Sequence, residues 1–200
     1  MGIYGPDARI SSIDPKRLIK WCENAGNQPG TIRGYLVVLK GLGVDVPAVR
    51  VPEKEARCLS DGELAGLDER VRSQDSEKWG DCQAFYAVLR DTGMRGREEV
   101  SRSAVDWEND EVTTHAHKGS VSITRTIGLT SIARKGFAWL AHSGVPTDSQ
   151  WRAFWGLVRL DAKNVPYDLR HTYCTRLFDV GVEAPVISKL MGHTNIERTL

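Results

Sequence analysis

From Tyr167 to His193 apolar residues recur mostly at helical spacing, at Leu177, Val180, Val182, Val186, Ile187 and Leu190, and glycines punctuate the stretch at Gly181 and Gly192. That pattern predicts two short helices packed side by side, the first capped at Gly181 and the second stopped at Gly192. A helix-stopping glycine turns the chain sharply, so His193 is expected near the start of the neighbouring helix, where Arg170 and His171 stand. An arginine fork and an imidazole donor in one pocket suit a tetrahedral phosphate oxyanion. Taken alone, the pair has an ordinary structural explanation as well: Arg170 caps a helix and His193 is a buried, satisfied imidazole.

A second segment changes that balance. The apolar run Phe85, Tyr86, Ala87, Val88 and Leu89 leads into Asp91-Thr-Gly-Met-Arg95-Gly-Arg-Glu98, so a buried helix should end in a glycine turn that presents Arg95. Glu98, three residues on, is placed to orient a guanidinium. From Glu111 to Leu129 the pattern turns β-like: Val112-Thr-Thr-His, a polar Lys118-Gly-Ser turn, then Val121-Ser-Ile-Thr-Arg-Thr-Ile in near alternation. Lys118 lies near the tip of that expected hairpin, where a flexible ammonium can reach into a groove.

Towards the N-terminus, Ser12-Ile-Asp14-Pro15 is a cap-like helix start with proline at the first helical position, running through Leu18, Ile19 and Trp21 to Gly26. A second helix is expected from Pro29-Gly-Thr31, with Ile32, Tyr35, Leu36 and Leu39 on one face. Val44 to Arg57 holds Pro47 and Pro52 without helical period and reads as extended. Leu59-Ser60-Asp-Gly-Glu63 then opens the next domain with a capping box. The expected organisation is a reduced helical region over 1–46, a linker over 47–58 and a larger domain over 59–200. A region as small as the first buries little apolar surface alone and is expected to order fully only when clamped on a partner.

Charge is uneven along the chain. Nine Lys or Arg against six Asp or Glu give residues 1–58 a charge of +3, seven against fourteen give residues 59–112 a charge of −7, and eleven against six give residues 113–200 a charge of +5. The formal total of +1 therefore hides two cationic parts around an acidic one, an arrangement compatible with a basic phosphate-binding face and an acidic back. The four cysteines, Cys22, Cys58, Cys82 and Cys174, are far apart and form no paired metal spacing, so they read as reduced thiols. His115-x-His117 lacks an accompanying ligand set and is a poor metal candidate. No apolar run reaches the roughly 18 residues of a membrane span. A cytoplasmic protein with no membrane partner and no metal is expected.

Read together, these boxes resemble those of the tyrosine recombinase or phage integrase family, over roughly residues 59–200 and in the family's order. Thr92-Gly-Met-Arg95-x-x-Glu98 is similar to its first arginine box, Lys118 to its β-hairpin lysine, Arg170 within Tyr-Asp-Leu-Arg-His-Thr to its second arginine, and His193 within Leu-Met-Gly-His-Thr to its His or Trp position. The resemblance implies an α+β fold, mostly helical, with a small N-terminal helical DNA-clamp region and a catalytic domain carrying a small antiparallel sheet. It implies site-specific recombination, by integration and excision, through a 3′-phosphotyrosine intermediate with no cofactor. Arg95, Arg170 and His193 would hold the non-bridging phosphate oxygens, and Lys118 would protonate the departing 5′ oxygen. Tyr167 stands where the family usually has His, and a phenol with a pKa of about 10 is a poorer proton shuttle than imidazole. Glu98, Asp168 and His171 would act from behind the arginines, though helix capping accounts for Asp168 equally well.

Partners follow from the same resemblance: double-stranded DNA bearing a core-type attachment site, contacted by Thr31, Arg33 and Lys40 of the second helix, and a homo-oligomer that forms a tetrameric synapse in the intact protein. The family's nucleophilic tyrosine would fall at position 202, and none of Tyr4, Tyr35, Tyr86, Tyr167 or Tyr173 stands in that context. The expectation is a chain truncated before its nucleophile, a monomer when free, that binds DNA without cleaving it. The alternative is a non-catalytic DNA-binding regulator on an integrase scaffold; a type IB topoisomerase would need larger clamp domains than the short N-terminal region allows.

Overall fold

A computed structural model of the chain describes Arg9 and residues 13–50, 56–118 and 121–192; the side chains of 116–118 and 121–122 fall outside that description. The chain divides into two compact units, Met1–Glu55 and Ala56–Leu200.

The first unit contains α1 (Pro15–Asn24) and α2 (Pro29–Gly41). The Asp14 carboxylate caps α1 by accepting from the Lys16 N–H at 2.9 Å, with Pro15 at the first helical position, where its missing N–H loses nothing. Cys22 of α1 and Ile32, Leu36 and Leu39 of α2 form the core. Tyr35, expected on that face, is 46% exposed: it lies on the flank of the narrow stripe that Ile32, Leu36 and Leu39 define. Val44, Val46 and Val49 pack against this core, so the extended segment read as a linker from residue 47 begins by adding apolar cover.

The second unit runs α3 (Asp61–Arg72), α4 (Ser76–Thr92), α5 (Arg97–Ser101), β1 (Ala104–Asp106), β2 (Glu111–Lys118), β3 (Val121–Gly128), α6 (Ser131–Ser143), α7 (Asp148–Val158), α8 (Tyr167–Asp179) and α9 (Ala184–Met191). The mostly helical α+β class expected from the sequence, with its small antiparallel sheet, is the one observed. The strands lie in the order β1-β2-β3; Val112 of β2 faces Ile127 of β3, and Thr114 faces Arg125. Strand β1, three residues long and with no pattern of its own, exists because Ala104, Val105 and Asp106 pair with Thr113, Val112 and Glu111.

Helix α4 is the axis of this unit. Its buried Phe85, Val88 and Leu89 share a core with Leu64, Leu67 and Val71 of α3, Phe137 and Leu140 of α6, Phe154 and Val158 of α7, and Leu169 of α8. Burying each such side chain contributes about 1.5–3 kcal/mol before entropy is set against it. Trp79, Phe85, Trp151 and Phe154 form an aromatic cluster, with Phe85 edge-on to Trp151 at 4.8 Å. The capping box at Ser60 and Glu63 forms as expected. Helix α7 starts with another, in which Thr147 and Gln150 satisfy each other's backbone N–H. The termini of α4 and α9 are the features that build the site. Gly93 and Gly192 both adopt left-handed conformation, at φ +61° and +62°, and turn the chain where the sequence places an arginine or the end of a helix.

Candidate active site

Gly93 ends α4 by donating its N–H to the Leu89 carbonyl at 3.0 Å. The turn sends Met94 into the core, 2% exposed, and carries Arg95 to the edge of a cleft. Arg95 Nη2 donates to the Gly192 carbonyl at 3.0 Å and, more weakly, to that of Met191 at 3.4 Å. Its Nε and Nη1 meet no acceptor among the described residues. Arg170, in the first turn of α8, is 2% exposed; Nη1 donates to the Gly93 carbonyl at 2.5 Å and Nη2 to the Met191 carbonyl. The two arginine boxes are thus joined at one oxygen, the carbonyl of Met191.

A third guanidinium belongs to the same cluster. Arg125 of β3 is 3% exposed; Nε and Nη2 donate to Glu99 Oε1 at 2.9 and 2.6 Å, and Nη1 donates to the Leu190 carbonyl. Glu99 Oε2 accepts the Arg95 backbone N–H at 2.6 Å. Three like charges collect here because the end of α9 is negative: its last carbonyls have no intrahelical donors, and the helix dipole adds to their partial charge. Burial first, and then the neighbouring Arg125 and Arg95, push the Arg170 pKa down to about 10, which leaves it cationic at neutral pH. Burial likewise lowers Arg125, against the Glu99 carboxylate.

The other residues singled out from the sequence fall as follows. Lys118 is the last residue of β2, with its backbone paired to Val121, and its side chain lies outside the described residues. His193 also lies outside them. Glu98 does not orient Arg95: its carboxylate takes Arg102 at 2.8 Å, and its side chain is 74% exposed. Glu99, one residue on and turned inward by about 100° of helix, holds the Arg95 backbone N–H and the Arg125 guanidinium instead. Asp168 does not reach Arg170 either. Its Oδ2 accepts from the Asn164 Nδ2 at 2.9 Å and the Val165 N–H at 2.8 Å, which fixes the loop entering α8. Tyr167 is 46% exposed, with its ring edge-on to His171 at 4.8 Å. Burial first lowers the His171 pKa, opposed by Asp168. Thr31, Arg33 and Lys40 are exposed on α2 of the other unit.

Sequence reasoning missed Glu99 and Arg125. For Arg125 the signal was present: strand alternation puts it on the same face as Ile123 and Ile127, the buried face of the hairpin. A cation at an inward position of a strand needs a buried partner, and Glu99 is that partner.

No protein-family model matches the chain. Two curated proteins do: a tyrosine recombinase XerC-like protein of Caldanaerobacter subterraneus subsp. tengcongensis, 29% identical over 119 residues, which covers 58% of this chain and 25% of the relative, and the tyrosine recombinase XerC of Roseiflexus castenholzii, 22% identical over 200 residues, 84% of this chain and 63% of the relative. The chain therefore spans a quarter of the length of the first and under two thirds of the second. Among solved structures, the Tn1549 transposon integrase in complex with circular intermediate DNA superposes with a TM-score of 0.65, at 17% identity, covering 96% of this chain and 81% of that one. The catalytic domain of bacteriophage HP1 integrase covers 72% of this chain with a TM-score of 0.51. The chain is thus similar in sequence to tyrosine recombinases and shares its fold with solved integrase structures.

Proposed function

We propose that these residues bind double-stranded DNA and activate one phosphodiester for site-specific recombination, of the integration and excision type. The observation that carries this reading is the meeting of Arg95 and Arg170 at a single oxygen, from segments 75 residues apart in sequence. Two forks aimed at one oxygen match the non-bridging oxygens of a phosphate whose negative charge grows as phosphorus becomes five-coordinate. In the reaction a tyrosine Oη attacks phosphorus, the P–O bond to the 5′ oxygen breaks, and the 3′ phosphate stays on the tyrosine until a 5′ hydroxyl displaces it. Arg95, Arg170 and His193 stabilise the oxyanion, Lys118 gives its proton to the leaving 5′ oxygen, and Tyr167 donates at the rim. Removing one such donor lowers the rate about 10²- to 10³-fold. Neither metal nor external energy source enters, because the phosphotyrosine keeps the energy of the broken bond. Relatives solved on DNA, such as the Tn1549 integrase, support the choice of partner.

We assign the nucleophile to none of Tyr86, Tyr167 and Tyr173: Tyr86 is buried and donates to Asp68 at 2.7 Å, Tyr173 packs its ring against Gly93, and Tyr167 takes the donor role above. The 200-residue chain on its own is therefore expected to bind DNA and hold the phosphate without cleaving. Incubation with a nicked core-site duplex, followed by denaturing electrophoresis, tests this: DNA retention in a native gel without a covalent adduct is the expected result, and a stable adduct overturns it. A regulator on the same scaffold is favoured by one observation, the phenol at Tyr167 in the family's His position. In that case Arg95→Ala and Arg170→Ala would leave the affinity for an intact duplex unchanged, and no adduct would form with a tyrosine supplied in trans.

A further inference from the structure

Arg125 lies where the three parts of the site join. It projects from β3, the second strand of the hairpin whose first strand ends in Lys118. Its fork grips Glu99 Oε1 twice, and the other oxygen of that carboxylate holds the backbone N–H of Arg95. Its remaining nitrogen reaches the Leu190 carbonyl, in the turn of α9 whose next two carbonyls receive Arg95 and Arg170. On the facing strand Thr114, fully buried, directs its hydroxyl to the Glu99 carbonyl at 3.4 Å. Space is matched as well as charge, for a Cβ placed on Gly192 would sit 3.5 Å from Arg125 Cδ and 3.4 Å from Ile123 Cγ2. The guanidinium and its carboxylate are 1% and 4% exposed as side chains, and all three nitrogens of the guanidinium donate within the protein.

We infer that Arg125 is a positioning residue, whose buried fork fixes the hairpin, the Arg95 segment and the end of α9 in one frame and thereby aligns the guanidiniums of Arg95 and Arg170 on a common oxyanion. The inference rests on the phosphate-binding reading above. A planar fork is required because Glu99 Oε1 is gripped by two nitrogens while the third reaches the Leu190 carbonyl; an ammonium at the same place keeps the charge but not that fixed planar set of donors. Losing a hydrogen bond to a charged group weakens binding about tenfold or more, and that is the effect expected at the site although Arg125 never touches the ligand.

The test uses inorganic phosphate as the probe, with chloride at equal ionic strength as control, and follows the Nε–Hε NMR resonances of Arg95 and Arg170 in the full 200-residue chain. In the unaltered protein both resonances should move along one titration curve. Arg125→Lys should remain folded, judged by its urea midpoint, while the two resonances separate into different curves and apparent affinity falls about tenfold. Arg125→Met combined with Glu99→Gln, which leaves no uncompensated buried charge, should show the same loss. A folded variant with the unaltered curves overturns the inference, and so does unfolding of both variants, which would make the pair a requirement of the fold and not of the site. Absence of any phosphate response in the unaltered protein is a different result: it removes the phosphate-binding reading itself.

Discussion

Replacing Gly93 with alanine perturbs the turn that delivers Arg95, and its effect divides into two parts. The first is conformational: at φ +61° an L side chain costs about 1 kcal/mol. The second is steric, since the new Cβ would lie 2.5 Å from Cδ1 and 3.0 Å from Cγ of the Tyr173 ring, below any ordinary contact. That ring is half-buried on α8, so relieving the overlap should cost a further 1–3 kcal/mol, roughly, as overpacking does elsewhere. Gly181 supplies the control: it also has positive φ, +81°, yet a Cβ there meets nothing within 4 Å. Entropy removed from the unfolded chain by the methyl group is common to both variants and cancels in their difference. Urea unfolding followed by tryptophan fluorescence should therefore place Gly93→Ala about 2 kcal/mol below Gly181→Ala, a gap of about 4–8 °C in Tm for a unit of this size. Adding Tyr173→Leu to Gly93→Ala should recover part of that gap by coupling. Equal losses for the two glycine variants would refute the packing of Tyr173 on the turn.

Three further outcomes follow from the packing and the charges. Phe154→Ala removes a fully buried ring from the cluster with Trp79 and Trp151 and should lower stability by about 3–5 kcal/mol in denaturant titrations, with altered tryptophan emission. Arg170→Ala leaves the Gly93 carbonyl without its side-chain donor and the Met191 carbonyl with only the longer bond from Arg95; its urea midpoint should correspond to a loss of about 1–3 kcal/mol, apart from any loss of phosphate binding. Because burial holds the folded His171 pKa below its unfolded value of about 6.5, the unfolded chain binds more protons there, so stability is present above that value and lost as the pH falls through it towards the folded pKa. His171→Gln should flatten that part of the pH dependence of Tm between pH 5 and 7, and an unchanged slope would show that another group is responsible.

Much of this fold was legible where punctuation and period coincide. Gly93, Gly181 and Gly192 mark the ends of α4, α8 and α9, and the alternation from Val121 to Ile127 marks β3, because left-handed caps and two-residue periods are written locally. The Ser60 capping box was legible for the same reason. Strand β1 was not, since three residues carry no period and only pairing with β2 defines them. The site divides along the same line. Arg95 and Arg170 announce themselves through glycine turns and helix starts, whereas the choice between Glu98 and Glu99 depends on which side of a five-residue helix faces the core, and neighbouring acidic residues carry no local sign of that. Asp168 shows the related difficulty: a carboxylate beside an arginine in sequence turned instead to Asn164 and Val165, the groups whose donors lacked other acceptors.

The carbonyls at the end of α9 hold guanidiniums that enter the chain up to 97 residues earlier. Contacts so distant in sequence close last during folding, because each carries the entropy of the loop it must shut. During synthesis the Arg95 segment is made well before the carbonyls that gather it, and the Arg170 segment only 21 residues before. A nascent chain halted short of Leu190 would hold Arg125 on Glu99 but would lack the carbonyls that gather Arg95, Arg125 and Arg170, so this cluster closes only when α9 is in place.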